Sequence, residues 1–460
     1  MIQRCLFILI AAVWACQPCS AAETRKPNII LIMADDLGYE CIGANGSDSY
    51  KTPSLDKLAA GGVRFDNCYV QPVCTPTRVQ LMTGMYNVRN YIQFGILDRD
   101  AQTFAHPLKE AGYVTGIAGK WQLGKGKNLP QRFGFDEAYL WQHTRRPPRY
   151  ANPGLELNGE ERDFTNGEYG PTLVNDFAID FVTRHKDEPF FLYYPMMLTH
   201  GPYPATPDSA DWDPKAKNDK HGNDPKHFGE MITYMDKLIG QLVAKLDELE
   251  IRENTLVIFL ADNGTGRGIT SQWKGQAYPG GKGSTTARGM HVPLIANWPS
   301  HVPAGKMNDD LIDSTDFYPT LCEVVGLKAP TSESFDGHSF APQLRGEKGK
   351  PREWIYCWFA SQGGPKANRE FAMTKGIKLY RDGRVFDLRT DPFEEHATEA
   401  KDLGQAEADA IKMLNGVLDN YSDARPEKLL ASAPVNPRKN KDPAQRAAKK
   451  QRRAARNRGE

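Results

Sequence analysis

Along the chain, unbroken apolar runs of strand length alternate with stretches whose apolar residues recur every three or four positions. NIILIMADD (28–36) is continuously apolar and ends in acid, and NTLVIFLADNG (254–264) repeats that pattern far along the chain. YVTGIAGK (113–120), PFFLYYPMM (189–197) and HVPLIANWP (291–299) read as further buried strands. In 231–250 the residues Met231, Met235, Leu238, Leu242, Leu246 and Leu249 mark one face of a helix. TPSLDKLAAGG (52–62) predicts a short helix stopped by a glycine pair, and STDFYPTLCEVVGL (314–327) predicts another. Strands apolar on both faces, alternating with helices, predict an α/β fold: a large, mostly parallel sheet sandwiched by helices.

After about residue 346 the texture changes. EWIYCWFA (353–360), EFAMTKGIKLYRDGRVFDLRTDP (370–392) and a helical pattern near 401–421 predict a small antiparallel α+β unit. The expected organisation is an export segment over 1–22, a catalytic domain over 26–345, a small antiparallel-sheet subdomain over 346–425, and a tail over 426–460. Internal repeats are not evident.

The 460 residues carry 40% hydrophobic and 25% charged residues, as an ordinary globular protein does, and a formal net charge of +1. The distribution of that charge is more telling than its sum. Residues 436–460 hold ten Lys and Arg against Asp442 and Glu460, with no aromatic residue. Such a segment cannot bury enough apolar area to offset its ordering entropy, and it reads as a disordered basic tail. A solvated tail without a task is the plain reading; weak binding to anionic glycan, membrane or nucleic acid is the alternative. Nothing in the chain specifies a nucleic-acid partner. The N-terminus has one Arg, an apolar run, and small residues at Ser20, Ala21 and Ala22, the pattern of a secretory signal. The mature protein is therefore expected in the periplasm or outside the cell. Cys16 offers a lipoprotein alternative, which Trp14 fits poorly. No second apolar segment reaches spanning length, so no transmembrane segment is expected.

Three of the eight cysteines lie in the signal, leaving Cys41, Cys68, Cys74, Cys322 and Cys357. Five irregularly spaced cysteines form neither a disulfide framework nor a zinc site, and at least one has another fate.

Asp35, Asp36, Asp262 and Asn263 stand where two buried strands end. Ligands of open α/β sheets bind outside the carboxyl ends of strands, so both pairs are expected to face one crevice. Three carboxylates together need a cation between them. Oxygen donors without clustered His or Cys favour Ca²⁺, with Mg²⁺ second, over zinc. Polar strand-to-loop turns are the plain alternative for each pair taken singly. In QPVCTPTRVQLMTG (71–84), Pro76 suits a first helical turn and Cys74 and Arg78 share one face. A helix start with a guanidinium beside it binds tetrahedral oxyanions. From these residues alone a low-pKa thiolate nucleophile remains open.

CTPTRVQLMTG resembles the signature of the formylglycine-dependent type I sulfatases (arylsulfatase-like, alkaline phosphatase superfamily), Cys-x-Pro-x-Arg followed by Thr-Gly. The similarity extends over roughly residues 26–330 through PNIILIMADDLG, AGYVTGIAGKWQLG, DNG and PGGKGSTTARGMHVP. The resemblance implies an alkaline-phosphatase-like fold and oxidation of Cys74 to formylglycine by a formylglycine-generating enzyme. It implies a calcium site of Asp35, Asp36, Asp262, Asn263 and the modified Cys74. It places Arg78 at the formylglycine hydrate, Lys120 and Lys282 on the sulfate, and His200 near the leaving oxygen. Two positions depart from the pattern. Gln122 stands where the family usually has histidine, and glutamine cannot titrate. Ala287-Arg288-Gly289 replaces a common Glu-Gly-Gly.

The implied activity is hydrolysis of sulfate monoesters to alcohol and inorganic sulfate, on a sulfated polysaccharide or oligosaccharide. The loop WQHTRRPPRYANPG (141–154), with Arg145, Arg146, Arg149, Trp141 and Tyr150, is a candidate for holding an anionic sugar, with a solvated basic loop as its alternative. A phosphodiester or phosphonate monoester hydrolase on the same fold, and a non-catalytic binder of sulfated glycans, are the rival functions.

Overall fold

A computed structural model describes residues 25–332, 335–399 and 403–431; the expected export segment and residues 436–460 lie outside them. Among the described residues no helix is long and apolar enough to cross a membrane. The strands are β1 (Asn28–Ala34), β2 (Val63–Tyr69), β3 (Val114–Lys120), β4 (Glu137–Trp141), β5 (Gly154–Leu157), β6 (Glu160–Asp163), β7 (Phe190–Pro195), β8 (Thr255–Ala261), β9 (Thr270–Trp273), β10 (Gln276–Pro279), β11 (Leu294–Asn297), β12 (Lys306–Asp313), β13 (Ile355–Phe359), β14 (Arg369–Met373), β15 (Ile377–Tyr380) and β16 (Val385–Asp387).

Ten of them form one sheet in the order β12-β2-β11-β8-β1-β7-β3-β4-β5-β6. Its centre, from β8 through β1, β7 and β3 to β4, is parallel. β12 pairs with β2 in parallel as well, while β11 runs antiparallel to both neighbours and β5 and β6 close the far edge antiparallel. The sheet is thus mixed and mostly parallel. β1, β7 and β8 are buried at every residue, as their unbroken apolar sequences require.

Helices cover this sheet. Pro53–Ala60 begins with Pro53 at its first position, where φ is pre-set and no N–H is wasted, and ends at Gly61. It packs against His227–Glu248, which in turn packs against Gly170–Arg184. On His227–Glu248 the buried face is the one read from the sequence, Met231, Met235, Leu238, Leu242 and Leu246, while Leu249 lies just past its end, half-buried. Cys74–Thr83 packs against Phe317–Val324.

β13 to β16 form a separate antiparallel sheet, with the helix Gln405–Asn420 against β14 and β15. Its apolar side, including Ile355, Phe371 and Met373, shares a small core with Leu311 and Met290 of the larger unit. Ordered structure runs past the expected tail start at 426. Glu427–Leu430 is a short helix, because Leu429 finds a buried seat.

Candidate functional site

The central parallel strands deliver polar residues to one end of the sheet. β1 runs into Asp35-Asp36, β8 into Asp262-Asn263, β3 ends on Lys120, and the segment after β7 carries His200. Register places them together: Ala34 lies beside Ala261, and Met33 beside Pro195. Asp35, Asp36, Asp262 and Asn263 are all buried. Asp36 adopts φ 64°, a left-handed turn that aspartate tolerates better than most residues. Its N–H donates to Asp262 Oδ1 (3.2 Å), and its Oδ1 accepts from Asn263 Nδ2 (2.8 Å).

Cations meet these anions. Lys120 Nζ reaches both oxygens of Asp35 (2.9 and 2.7 Å), and Lys282 Nζ reaches Asp36 Oδ1 (2.5 Å). Arg78 donates from Nη2 to Asp262 Oδ2 (2.9 Å) and from Nη1 to the Lys120 carbonyl (3.0 Å). His200 Nε2 stands 3.8 Å from Asp36 Oδ2, and its Nδ1 donates to the Gly201 carbonyl (2.5 Å). Burial alone would raise the Asp35 carboxyl, but Lys120, His200, Lys282 and Arg78 outweigh it and hold it well below the usual range. Asp36 is likewise lowered, burial being overcome by His200 and Lys282. Asp262 goes the other way, up to about 6, through burial and the charge of Asp35. Burial pushes His200 down to about 4.

Cys74 opens the helix Cys74–Thr83, every residue of which is buried. Gly84, with φ 66°, ends that helix in the left-handed turn glycine favours. Burial pushes the Cys74 thiol up, against the smaller opposing pull of Lys120 and Lys282. All five described cysteines are unpaired and buried.

The oxygen donors of Asp35, Asp36, Asp262 and Asn263 suit a hard divalent cation. Asn263 Oδ1 is buried with no hydrogen-bond partner, an unmet acceptor beside three carboxylates. Asp35, Asp36 and His200 each offer one ligand atom within 4.8 Å of the others.

All the site residues expected from sequence thus converge. Sequence reasoning missed their supports. Thr77 donates its hydroxyl to the Asp262 carbonyl (2.7 Å), and Thr199 N–H donates to the Asp35 carbonyl (2.6 Å). In the 141–154 loop the aromatic residues and one arginine are turned inward, while Arg146 is exposed. Trp141 and Tyr150 are buried, Arg145 pairs with Asp163 and Glu161, and Arg149 is buried over the Trp141 ring. Gln122 is also buried, with φ 58° and an Oε1 that has no partner.

The model of the Sulfatase family matches residues 27–327, and that of the N-sulphoglucosamine sulphohydrolase C-terminal region matches 284–419. Human arylsulfatase A is 33% identical over 379 residues, covering 73% of this chain and 71% of the relative. Human N-acetylgalactosamine-6-sulfatase is 31% identical over 360 residues, covering 71% and 67%. The crystal structure of Ps i-CgsB in complex with k-i-k-neocarrahexaose superposes with a TM-score of 0.75 at 28% identity, covering 90% of this chain and 96% of that one.

Proposed function

The chain belongs to the sulfatase family, and from that premise we propose that it hydrolyses sulfate monoesters of a glycan, using a formylglycine made from Cys74 and a calcium ion. The observation that carries this reading is the convergence of Arg78, Lys120, His200 and Lys282 on one buried set of oxygen donors, beside the helix that Cys74 opens. A sulfated glycan is proposed as substrate because Ps i-CgsB was solved with a neocarrahexaose and another relative is an N-acetylgalactosamine-6-sulfatase.

Asp35, Asp36, Asp262 and Asn263, with the modified residue 74, would hold the calcium, which supplies positive charge where sulfate oxygens bind. A formylglycine at position 74 supplies a geminal diol: one hydroxyl for attack on sulfur, the other to release the sulfate that a serine would retain. The protein's own groups do the rest. Arg78, fixed through Asp262 and the Lys120 carbonyl, orients residue 74 at the helix start. Lys120 and Lys282 line the oxyanion position with fixed ammonium groups. His200, with Nε2 on the Asp36 side, would serve the departing sugar oxygen as an imidazolium, because the neutral ring that donates from Nδ1 to Gly201 has no hydrogen on Nε2 to give. Gln122 can hydrogen-bond at the site but cannot carry a proton away.

The test is peptide mass spectrometry of residue 74 in protein co-produced with a formylglycine-generating enzyme, alongside sulfate release from sulfated oligosaccharides and from matched phosphate esters. Formylglycine at position 74 and preferential sulfate release are expected. Full turnover by protein whose residue 74 is unmodified cysteine, or faster phosphate release, would overturn the proposal.

A further inference from the structure

The segment that carries His200 is tied down from outside the cluster, by two neighbours in the 141–154 loop. The Gly201 carbonyl oxygen accepts two hydrogen bonds, from His200 Nδ1 (2.5 Å) and from Arg149 Nη2 (3.1 Å). One residue earlier, the His200 carbonyl accepts the Tyr150 hydroxyl, which also lies 3.3 Å from the Met197 carbonyl. Arg149 and Tyr150 thus grip the two successive carbonyl oxygens that follow the imidazole, those of Gly201 and His200.

The grip itself is rigid. The Arg149 guanidinium sits 4.5 Å from the Trp141 ring centre and 5.3 Å from that of Tyr150. Asp219 Oδ1 accepts from the backbone N–H groups of Arg149 (2.7 Å) and Tyr150 (3.1 Å), and its Oδ2 lies 3.5 Å from Arg149 Nε. Gly170 packs so closely that a Cβ there would stand 1.9 Å from the Arg149 carbonyl oxygen. Arg149 is only 3% exposed, yet its Nη1 is buried without a hydrogen-bond partner. A buried donor left unmet costs stability, so local stability alone does not explain an arginine here.

We infer that Arg149 is a positioning residue for His200, acting through the Gly201 carbonyl, with Tyr150 as its partner on the His200 carbonyl. The inference rests on the proposed place of His200 at the leaving oxygen. With Nδ1 donated to Gly201, the ring turns Nε2 toward the Asp36 side of the site. Arg149 fixes the oxygen to which that bond is made, and misplacement by a fraction of an ångström is enough to impair such a group.

Leaving-group dependence separates this role from a merely structural one. A nitrophenolate departs with little help, whereas a sugar alkoxide needs it. In calcium-loaded, formylglycine-containing enzyme, Arg149→Met is expected to lower kcat/KM on a sulfated sugar by ~100-fold, but on nitrophenyl sulfate by less than ~5-fold. Arg149→Lys should recover part of the loss. In a His200→Ala background Arg149→Met should add less than ~2-fold, because the two act as a unit. Tyr150→Phe, a gentler change, should reproduce the leaving-group signature if Arg149→Met folds poorly. Equal losses on both substrates, or additive losses in the double variant, would overturn the inference while leaving the proposed function standing. If His200→Ala itself shows no leaving-group dependence, the assignment of His200 falls first and this inference with it.

Discussion

Thr77 joins the helix Cys74–Thr83 to the end of β8 with a single hydroxyl. It accepts from the Gln71 N–H (3.0 Å) and donates to the Asp262 carbonyl (2.7 Å), wholly buried. Thr77→Val keeps the shape and strands both backbone groups, so stability should fall by about 1–3 kcal/mol, read from the urea midpoint. Cys74→Ser should fold, with a melting temperature within ~2 °C of the parent. Its sulfate release should fall roughly 10³-fold or more, since one hydroxyl cannot serve both halves of the reaction. The acids were legible in the sequence because apolar strands stop on them, and Cys74 with Arg78 because their spacing sets one helix face. Thr77, Thr199, Arg149 and Tyr150 were not legible as supports. Each acts on a main-chain oxygen brought near by folding, and no motif marks such a bond.

At the scale of elements, β3 shows how a strand aims a side chain. Gly119, next to Lys120, has φ 126°, and a Cβ there would lie 2.0 Å from the Pro195 carbonyl oxygen. Gly119→Ala forces β3 away from β7 just where Lys120 must meet Asp35. A loss of at least ~2 kcal/mol is expected, with a fall in activity that outlasts any rescue of folding at low temperature; differential scanning calorimetry and assays at 10–25 °C check both. The long helix His227–Glu248 and the central strands follow their apolar spacing closely. The edge was harder to read. β6 is EERD and exposed at all four residues, so no buried face leaves a period in its sequence. β11, antiparallel to both neighbours, looks like the parallel central strands because burial on both faces, not direction, sets its composition. Cys74–Thr83 is buried all round, so its helix was read from Pro76 at a first turn and the Cys74–Arg78 spacing and not from an apolar stripe.

For the whole molecule, the two sheets depend on shared buried charges. Arg352 reaches Asp316 with Nε at 3.1 Å, donates to the Tyr86 hydroxyl at 2.8 Å, and is almost wholly buried. Arg352→Ala leaves Asp316 unpaired and should cost about 3–5 kcal/mol, measured by denaturant unfolding of the full chain. Chelation should abolish sulfate release, and added calcium should restore it. The far-ultraviolet spectrum should hardly change, because the buried strands rather than the ion carry the fold. The melting temperature should rise with calcium concentration, as for any ligand bound by the native state alone. The α/β sandwich and the small second sheet were both legible in the change of texture along the chain. The convergence of strand ends was legible as a topological rule, while the ion pairs that fill it were not. One consequence concerns time. Cys74 is 1% exposed, at the start of a helix that Thr77 ties to the end of β8, and β8 pairs with β1 from far away in the sequence. If residue 74 is oxidised by an enzyme, as proposed, that enzyme would have to reach it before β8 docks beside β1, and maturation would be a race between a catalyst and the chain's own closure. Slower arrival of the second half of the chain should raise the modified fraction, and a faster-folding variant should emerge better packed but less converted.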